Sequence, residues 1–120
     1  MIRAVSVLAF ALVAMTASAE SLKLSSHYKA VGKNPDGSEY TGSVAVDILS
    51  DTTFAIQWTI AGTIYKGFGM RRNDALAATY TIDGEPGLII YQAGADGTMN
   101  GPWAVRGQTG NGSERLTPAD

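Results

Sequence analysis

The chain has 120 residues, a formal charge of −2 and no cysteine. This length bounds it to one domain, and its mild, scattered charge excludes the basic face with which nucleic-acid binders neutralise phosphates. With one histidine and no cysteine, thiol chemistry and soft-metal sites lack their ligands, so we expect no metal site and no cofactor.

The N-terminal residues predict a secretory signal peptide. A short basic start is followed by an apolar run over residues 4–17, and small residues precede a cleavage site after Ala19. A membrane anchor is the alternative, but the run is shorter than the ~20 residues that a spanning helix needs. We therefore expect residues 1–19 to be a signal peptide, residues 20–120 to be one folded domain, and the protein to be periplasmic or secreted.

Alternation of apolar and polar residues predicts eight strands after the signal peptide, and no helical period appears there. The strands are predicted over residues 22–33, 38–49, 53–61, 63–70, 75–82, 88–93, 98–106 and 113–117. Gly-rich and Asp-Gly turns separate them, the clearest at residues 34–37, 83–87 and 94–97.

The third and fourth predicted strands form the clearest hairpin, joined at Ala61-Gly62. The fourth strand carries Gly67 and Gly69 on one face. Glycine is unfavourable inside a strand, so the pair predicts a strong bend or a bulky side chain lying against the backbone. The candidate neighbours are Trp58 and Trp103.

Eight short strands with short connections predict an antiparallel meander. A closed up-and-down barrel and a sandwich of two sheets both accommodate this pattern. The short connections favour pairing between sequence neighbours, same-face glycines suit a tightly coiled sheet, and a closed barrel removes free strand edges. We therefore predict an all-β fold, a small eight-stranded antiparallel up-and-down β-barrel over residues 20–120.

Several aromatic and glycine positions follow a fixed order along the chain. They are Tyr40-x-Gly42, Trp58-x-Ile60, Tyr65-x-Gly67-x-Gly69, and Asp96-Gly97 followed by Gly101-x-Trp103. This order resembles a family of small secreted bacterial proteins labelled fibronectin-binding-protein-like, and the resemblance covers most of the chain after the signal peptide. More loosely, the chain resembles the barrel superfamily that holds avidins and lipocalins, which implies a short barrel with tryptophans near its core.

Catalytic candidates are weak. His27 is the single histidine, and its expected role is that of a half-exposed strand residue. The acidic residues mostly fall in turns, where aspartate caps its own backbone, and the Asp-x-Asp spacing of a calcium loop is absent. The Arg71-Arg72 pair is interpreted as a solvated hairpin tip, with a phosphate, an anionic lipid headgroup or an acidic partner as the alternative. We predict that the protein is not an enzyme and has no catalytic residue.

The best functional lead is a set of aromatic residues that all lie on predicted strands. The set is Trp58, Tyr65, Tyr80, Tyr91 and Trp103. If these side chains point into a barrel with glycine and alanine vacancies, they line a small apolar ligand pocket. Otherwise they fill the core. An eight-stranded barrel is just wide enough for either arrangement, and the short chain favours a packed core.

Three functional hypotheses follow from this sequence. The first is non-enzymatic binding of a protein or surface partner, which requires aromatic or basic residues grouped on one exposed surface. The alternative is a carrier of a small apolar ligand in the barrel interior, which requires an open mouth and a lined cavity. The third is an enzyme that uses His27 or loop carboxylates, which requires a cleft that gathers them.

Overall fold

The structure is a computed structural model that describes residues 23–119, so the predicted signal peptide lies outside the described residues. Eight antiparallel strands form a closed barrel in sequence order, β1 pairing with β8. The strands are β1 (His27–Lys33), β2 (Glu39–Ile48), β3 (Thr53–Ile60), β4 (Thr63–Arg72), β5 (Ala75–Ile82), β6 (Glu85–Ala93), β7 (Met99–Val105) and β8 (Gly112–Pro118). The predicted barrel is confirmed, and the sandwich is excluded.

The period-two pattern of the sequence decides which side chains enter the barrel. In β1, β5 and β8 buried and exposed positions alternate along most of the strand, as expected when one face of a sheet is solvated. The inward faces of all eight strands form one core. Its largest fully buried members are Tyr28, Tyr91, Phe54, Leu76, Met99, Leu116 and Val44.

Two predicted boundaries differ from the structure by three residues or more. The first strand begins at His27, because pairing with β2 and β8 starts only there and at Tyr28. The turn before β6 is only Asp83-Gly84, with φ of 50° and 81°. Two consecutive left-handed residues make the two-residue hairpin turn that matches strand twist, so β6 begins at once at Glu85.

Pro102 interrupts the hydrogen-bond ladder between β6 and β7. Pairing of β6 with β7 is recorded on either side of Pro102, at Ile89 with Trp103 and at Gln92 with Asn100, and lapses between them. Proline has no N–H to donate, so the gap follows directly. Proline in a sheet normally lies on an edge strand or at a bulge, whereas in this closed ring the gap lies inside the ladder.

The barrel has two unlike ends. We call the end with the β1–β2, β3–β4, β5–β6 and β7–β8 turns the open end, and the opposite one the closed end. Near the closed end Phe54, Leu76 and Leu116 are at most 1% exposed. Leu24, just before β1, packs against the same core. The interior is therefore solid in the half next to the closed end, here called the closed half.

Large rings lie on glycines of the neighbouring strand around the barrel wall. A Cβ at Gly67 would stand 2.8 Å from the ring of Trp58, and one at Gly69 would stand nearer still to the ring of Phe54. The same relation holds for Tyr40 on Gly32, Tyr80 on Gly87 and Trp103 on Gly112. The bulky neighbour predicted for Gly67 is thus Trp58, whereas Trp103 covers a different glycine.

Candidate ligand cavity

A cavity of about 170 Å³ occupies the other half of the barrel, the open half. It reaches solvent at the open end, where Ile60, Tyr65 and Ile82 are only half-buried. Side chains from seven strands and the first turn form its wall. They are Asn34, Tyr40, Trp58, Ile60, Tyr65, Tyr80, Ile82, Ile89, Trp103 and Glu114.

Strand position explains why these side chains meet. Adjacent antiparallel strands run in opposite directions, so the first residues of one strand lie beside the last residues of the previous one. Tyr65 near the start of β4 thus pairs with Trp58 near the end of β3. Glu114 enters from the beginning of β8, next to Gly32 at the end of β1. Residues that are distant in sequence therefore lie at the same level along the barrel axis, and together they form the cavity wall.

Glu114 is the polar centre of the wall and is only 4% exposed. Its Oε1 accepts a hydrogen bond of 2.8 Å from the hydroxyl of Tyr40. Its Oε2 accepts hydrogen bonds of 2.5 Å from the Tyr91 hydroxyl and 3.0 Å from Nε1 of Trp58. Nε1 of Trp58 is also 3.1 Å from the Tyr91 hydroxyl oxygen. Four side chains from β2, β3, β6 and β8 are thereby fixed relative to one another across the barrel.

Electrostatics keeps the surrounding phenols protonated. Burial raises the pKa of Tyr40, Tyr80 and Tyr91 above the ordinary value of 10.0, and the nearby negative charge of Glu114 raises it further. Each of these three hydroxyls is therefore a hydrogen-bond donor at neutral pH. Tyr40 and Tyr91 direct that donor to the carboxylate.

The aromatic rings hold one another in edge-to-face pairs. Trp58 and Tyr80 have ring centroids 5.3 Å apart at 63°, and Tyr40 and Trp103 have centroids 6.3 Å apart at 65°. Such geometry contributes about 0.5–1.5 kcal/mol beyond area burial. Nε1 of Trp103 also donates to the Ser113 carbonyl at 3.3 Å. Contacts within the protein therefore hold the aromatic side chains of the wall in place.

The structure brings four of the five predicted ligand-binding residues to the cavity. Trp58, Tyr65, Tyr80 and Trp103 line it, whereas Tyr91 is 0% exposed and lies behind the wall, bonded to Glu114. That these residues bind a ligand stays a prediction. The expected packed core is present only in the closed half of the barrel.

Sequence reasoning missed Glu114. A signal existed, because the alternation that places Leu116 inside also places residue 114 on the same face. A glutamate at an inward position of a strand is rarely buried without partners, so the same pattern called for hydrogen-bond donors opposite it. Which donors these are depends on strands that the pattern alone does not align.

The other candidate residues lie away from the cavity. His27 is exposed near the closed end, with its Nδ1 3.1 Å from Oγ of Ser26. Arg71 is half-buried and Arg72 exposed at the end of β4, next to the turn at residues 73–74. Within residues 23–119 no three His, Asp or Glu side chains group closely enough to hold a metal ion.

Large apolar side chains also lie exposed on the outer face of the barrel. Phe68 and Met70 on β4 and Leu88 and Ile90 on β6 are each more than half exposed. They flank β5, where Ala77 pairs with both Met70 and Ile90. The hypothesis of a protein or surface partner requires aromatic or basic residues grouped on one exposed surface, whereas this strip contains one aromatic residue and no basic one. That hypothesis stays a prediction.

In the described part of the chain, no helix has the length and apolar character needed to cross a membrane. The signal-peptide prediction concerns residues outside that part.

The same fold occurs in solved structures with little sequence similarity. A redesigned β-barrel superposes with a TM-score of 0.64 at 14% identity, over 81% of this chain and 92% of that one. A de novo designed fluorescence-activating β-barrel gives 0.62 at 16% identity, over 80% and 94%. A mutant of the fluorescent protein UnaG gives 0.53 at 7% identity, over 80% and 96%. At these identities the likeness shows the fold alone.

No protein-family model matches the sequence, and a search of curated proteins finds no match. The resemblance to the fibronectin-binding-protein-like family therefore stays a prediction. Of the looser resemblance to the avidin and lipocalin barrels, the structure shows the architecture alone, a closed, short up-and-down barrel.

Proposed function

We propose that the protein is a non-enzymatic carrier of a small, largely apolar ligand that it holds in the open half of the barrel. One observation carries this proposal: the interior is solid next to the closed end and hollow next to the open end. A core that served stability alone would be filled along its whole length, since each cavity costs stabilising contacts.

The size and lining of the cavity support the same function. A dry apolar cavity of about 150 Å³ accepts benzene, so about 170 Å³ is room for one six-membered ring with a short substituent. Binding sites for small molecules are typically aromatic concavities with a few fixed polar groups. The ring pairs and the carboxylate network supply both features without a rearrangement.

Native mass spectrometry of the protein purified from its own source tests the proposal. We expect a mass above that of the chain that disappears when the sample is denatured. A matched pair of variants locates the ligand, because Ile89 lines the cavity while its neighbour Ile90 faces solvent. Ile89→Phe should fill the cavity and remove the extra mass, and Ile90→Phe should retain it.

Near-ultraviolet circular dichroism of both variants shows whether the barrel remains folded. A bare wild-type chain, or extra mass that survives Ile89→Phe in a folded barrel, would contradict a ligand held in this cavity.

A further inference from the structure

The carboxylate of Glu114 has no positive partner in the described structure. Its three donors, the hydroxyls of Tyr40 and Tyr91 and the indole N–H of Trp58, are all neutral groups. Isolating a charge from water is costly unless it is paired, and neutral hydrogen bonds compensate for only part of that cost. The site therefore retains negative charge that a bound cation would neutralise.

The hydrogen-bond geometry also leaves room for another donor. Each carboxylate oxygen can accept about two hydrogen bonds through its lone pairs. Oε2 of Glu114 already accepts two, from Tyr91 and Trp58, whereas Oε1 accepts one, from Tyr40. The remaining acceptor capacity is therefore at Oε1, on a residue that belongs to the cavity wall.

The rest of the wall suits a cation with an apolar body. Five aromatic side chains surround the cavity, and the faces of such rings attract ammonium groups within about 6 Å. An anion would meet the like charge of Glu114, which is itself only 4% exposed. A purely apolar ligand would leave the open acceptor of the carboxylate without a partner, which is itself unfavourable.

We infer that the ligand class is a small organic ammonium ion with one aromatic or alicyclic ring, and that its N–H donates to Oε1 of Glu114. This inference rests on the proposed carrier function and adds the identity of the recognised group. The ring occupies the aromatic cavity, and any longer substituent passes through the mouth between Ile60, Tyr65 and Ile82.

A series of probes with the same ring separates charge from shape. Benzylammonium, benzyl alcohol, toluene and benzoate share a ring that fits about 170 Å³ and differ in charge and donor capacity. Both tryptophans of the chain, Trp58 and Trp103, line the cavity, so their fluorescence reports entry of each probe. Titrations are run at pH 7 and constant ionic strength. We expect benzylammonium to bind at least tenfold more tightly than benzyl alcohol or toluene, and benzoate to bind least.

Two variants assign the preference to one carboxylate. Glu114→Gln should remove the tenfold preference for benzylammonium while benzyl alcohol still binds. Glu85→Gln is the matched control, because Glu85 is a partly exposed carboxylate at the open end that pairs with Arg106 at 3.0 Å outside the cavity. That variant should keep the wild-type order of affinities.

The wild-type series stays decisive even if Glu114→Gln fails to fold. Binding of toluene or benzyl alcohol as tight as that of benzylammonium would overturn the ammonium assignment and leave the carrier function standing. An unchanged preference in folded Glu114→Gln would overturn the role of Glu114. If none of the four probes enters, both the ammonium assignment and the proposed cavity function fail for a ligand of this size.

Discussion

In both halves of the barrel an aromatic ring lies on a glycine of the neighbouring strand, yet the interior is filled in the closed half and hollow in the open half. In the closed half Phe54 lies on Gly69, and in the open half Trp58 lies on Gly67 of the same strand. Around Phe54 the side chains Leu76 and Leu116 fill the axis, each at most 1% exposed. In the open half the rings lie along the wall over their glycines and the axis stays empty. Aromatic content therefore does not predict a filled core, because a ring lies on a glycine in both halves and the axis is filled only where Leu76 and Leu116 are present.

The largest effect should come from truncating the closed half. Phe54→Ala removes a ring that is 1% exposed, and we expect the free energy of unfolding to fall by about 3–5 kcal/mol. Tyr65→Ala at the half-buried rim should cost about 1 kcal/mol or less, because water already reaches that site. Urea denaturation of both variants measures the contrast. Equal losses would mean that the two halves are equally packed.

A smaller effect should come from filling the space beneath a ring. In Gly67→Val the new side chain would collide with the Thr79 carbonyl and the ring of Trp58, so the unfolding free energy should fall by about 1–3 kcal/mol. Lys66→Val, on the solvent side of the same strand, is the control and should change it by less than about 0.5 kcal/mol. An unchanged denaturation midpoint for Gly67→Val would show that Trp58 does not depend on this vacancy.

The smallest effect concerns one turn at each end of the barrel. Ala61 at the open end and Asn73 at the closed end both have left-handed backbones, with φ of 51° and 55°. Asparagine adopts this conformation more readily than alanine. Ala61→Asn should raise the unfolding free energy and Asn73→Ala should lower it, each by roughly 1 kcal/mol. Thermal denaturation should show midpoint shifts of opposite sign, and shifts of the same sign would contradict the backbone explanation.

Local features of this fold could be predicted from sequence because each depends on a few adjacent residues. One example is the similar sequence of two turns, Asp36-Gly37-Ser38 and Asp96-Gly97-Thr98. Oδ1 of Asp36 accepts from the Ser38 amide at 2.9 Å, and Oδ1 of Asp96 accepts from the Thr98 amide at 3.0 Å. The hydroxyls of Ser38 and Thr98 donate to the same oxygens at 2.6 Å and 2.7 Å, and these bonds, with the amide bonds, lower the pKa of both carboxyl groups below the ordinary value of 3.8. The two turns are built alike although they lie at opposite ends of the barrel.

The candidate site could be predicted only in part, because it depends on contacts between distant strands. Alternation indicated that Trp58 and Tyr80 point inward, but not that Tyr80 leans on Gly87 and leaves space beside it. Likewise, Tyr91 was a reasonable pocket residue until its hydroxyl was seen to hold Glu114 from behind. The missing information was the register of strands that meet only when the barrel closes.

That closure gives the carboxylate network a consequence for folding kinetics. Pairing of β1 with β8 joins residues 28–33 to residues 113–118. It closes the longest loop that any strand pair closes in the described chain. Loop-closure entropy grows with length, so we expect this seam to form late and to open early. Glu114 lies on β8, and its hydrogen bonds reach β2, β3 and β6. These bonds therefore stabilise the attachment of the last strand to the rest of the barrel. A ligand of the kind we propose would slow unfolding, and a chain whose seam is open would lack the complete cavity wall.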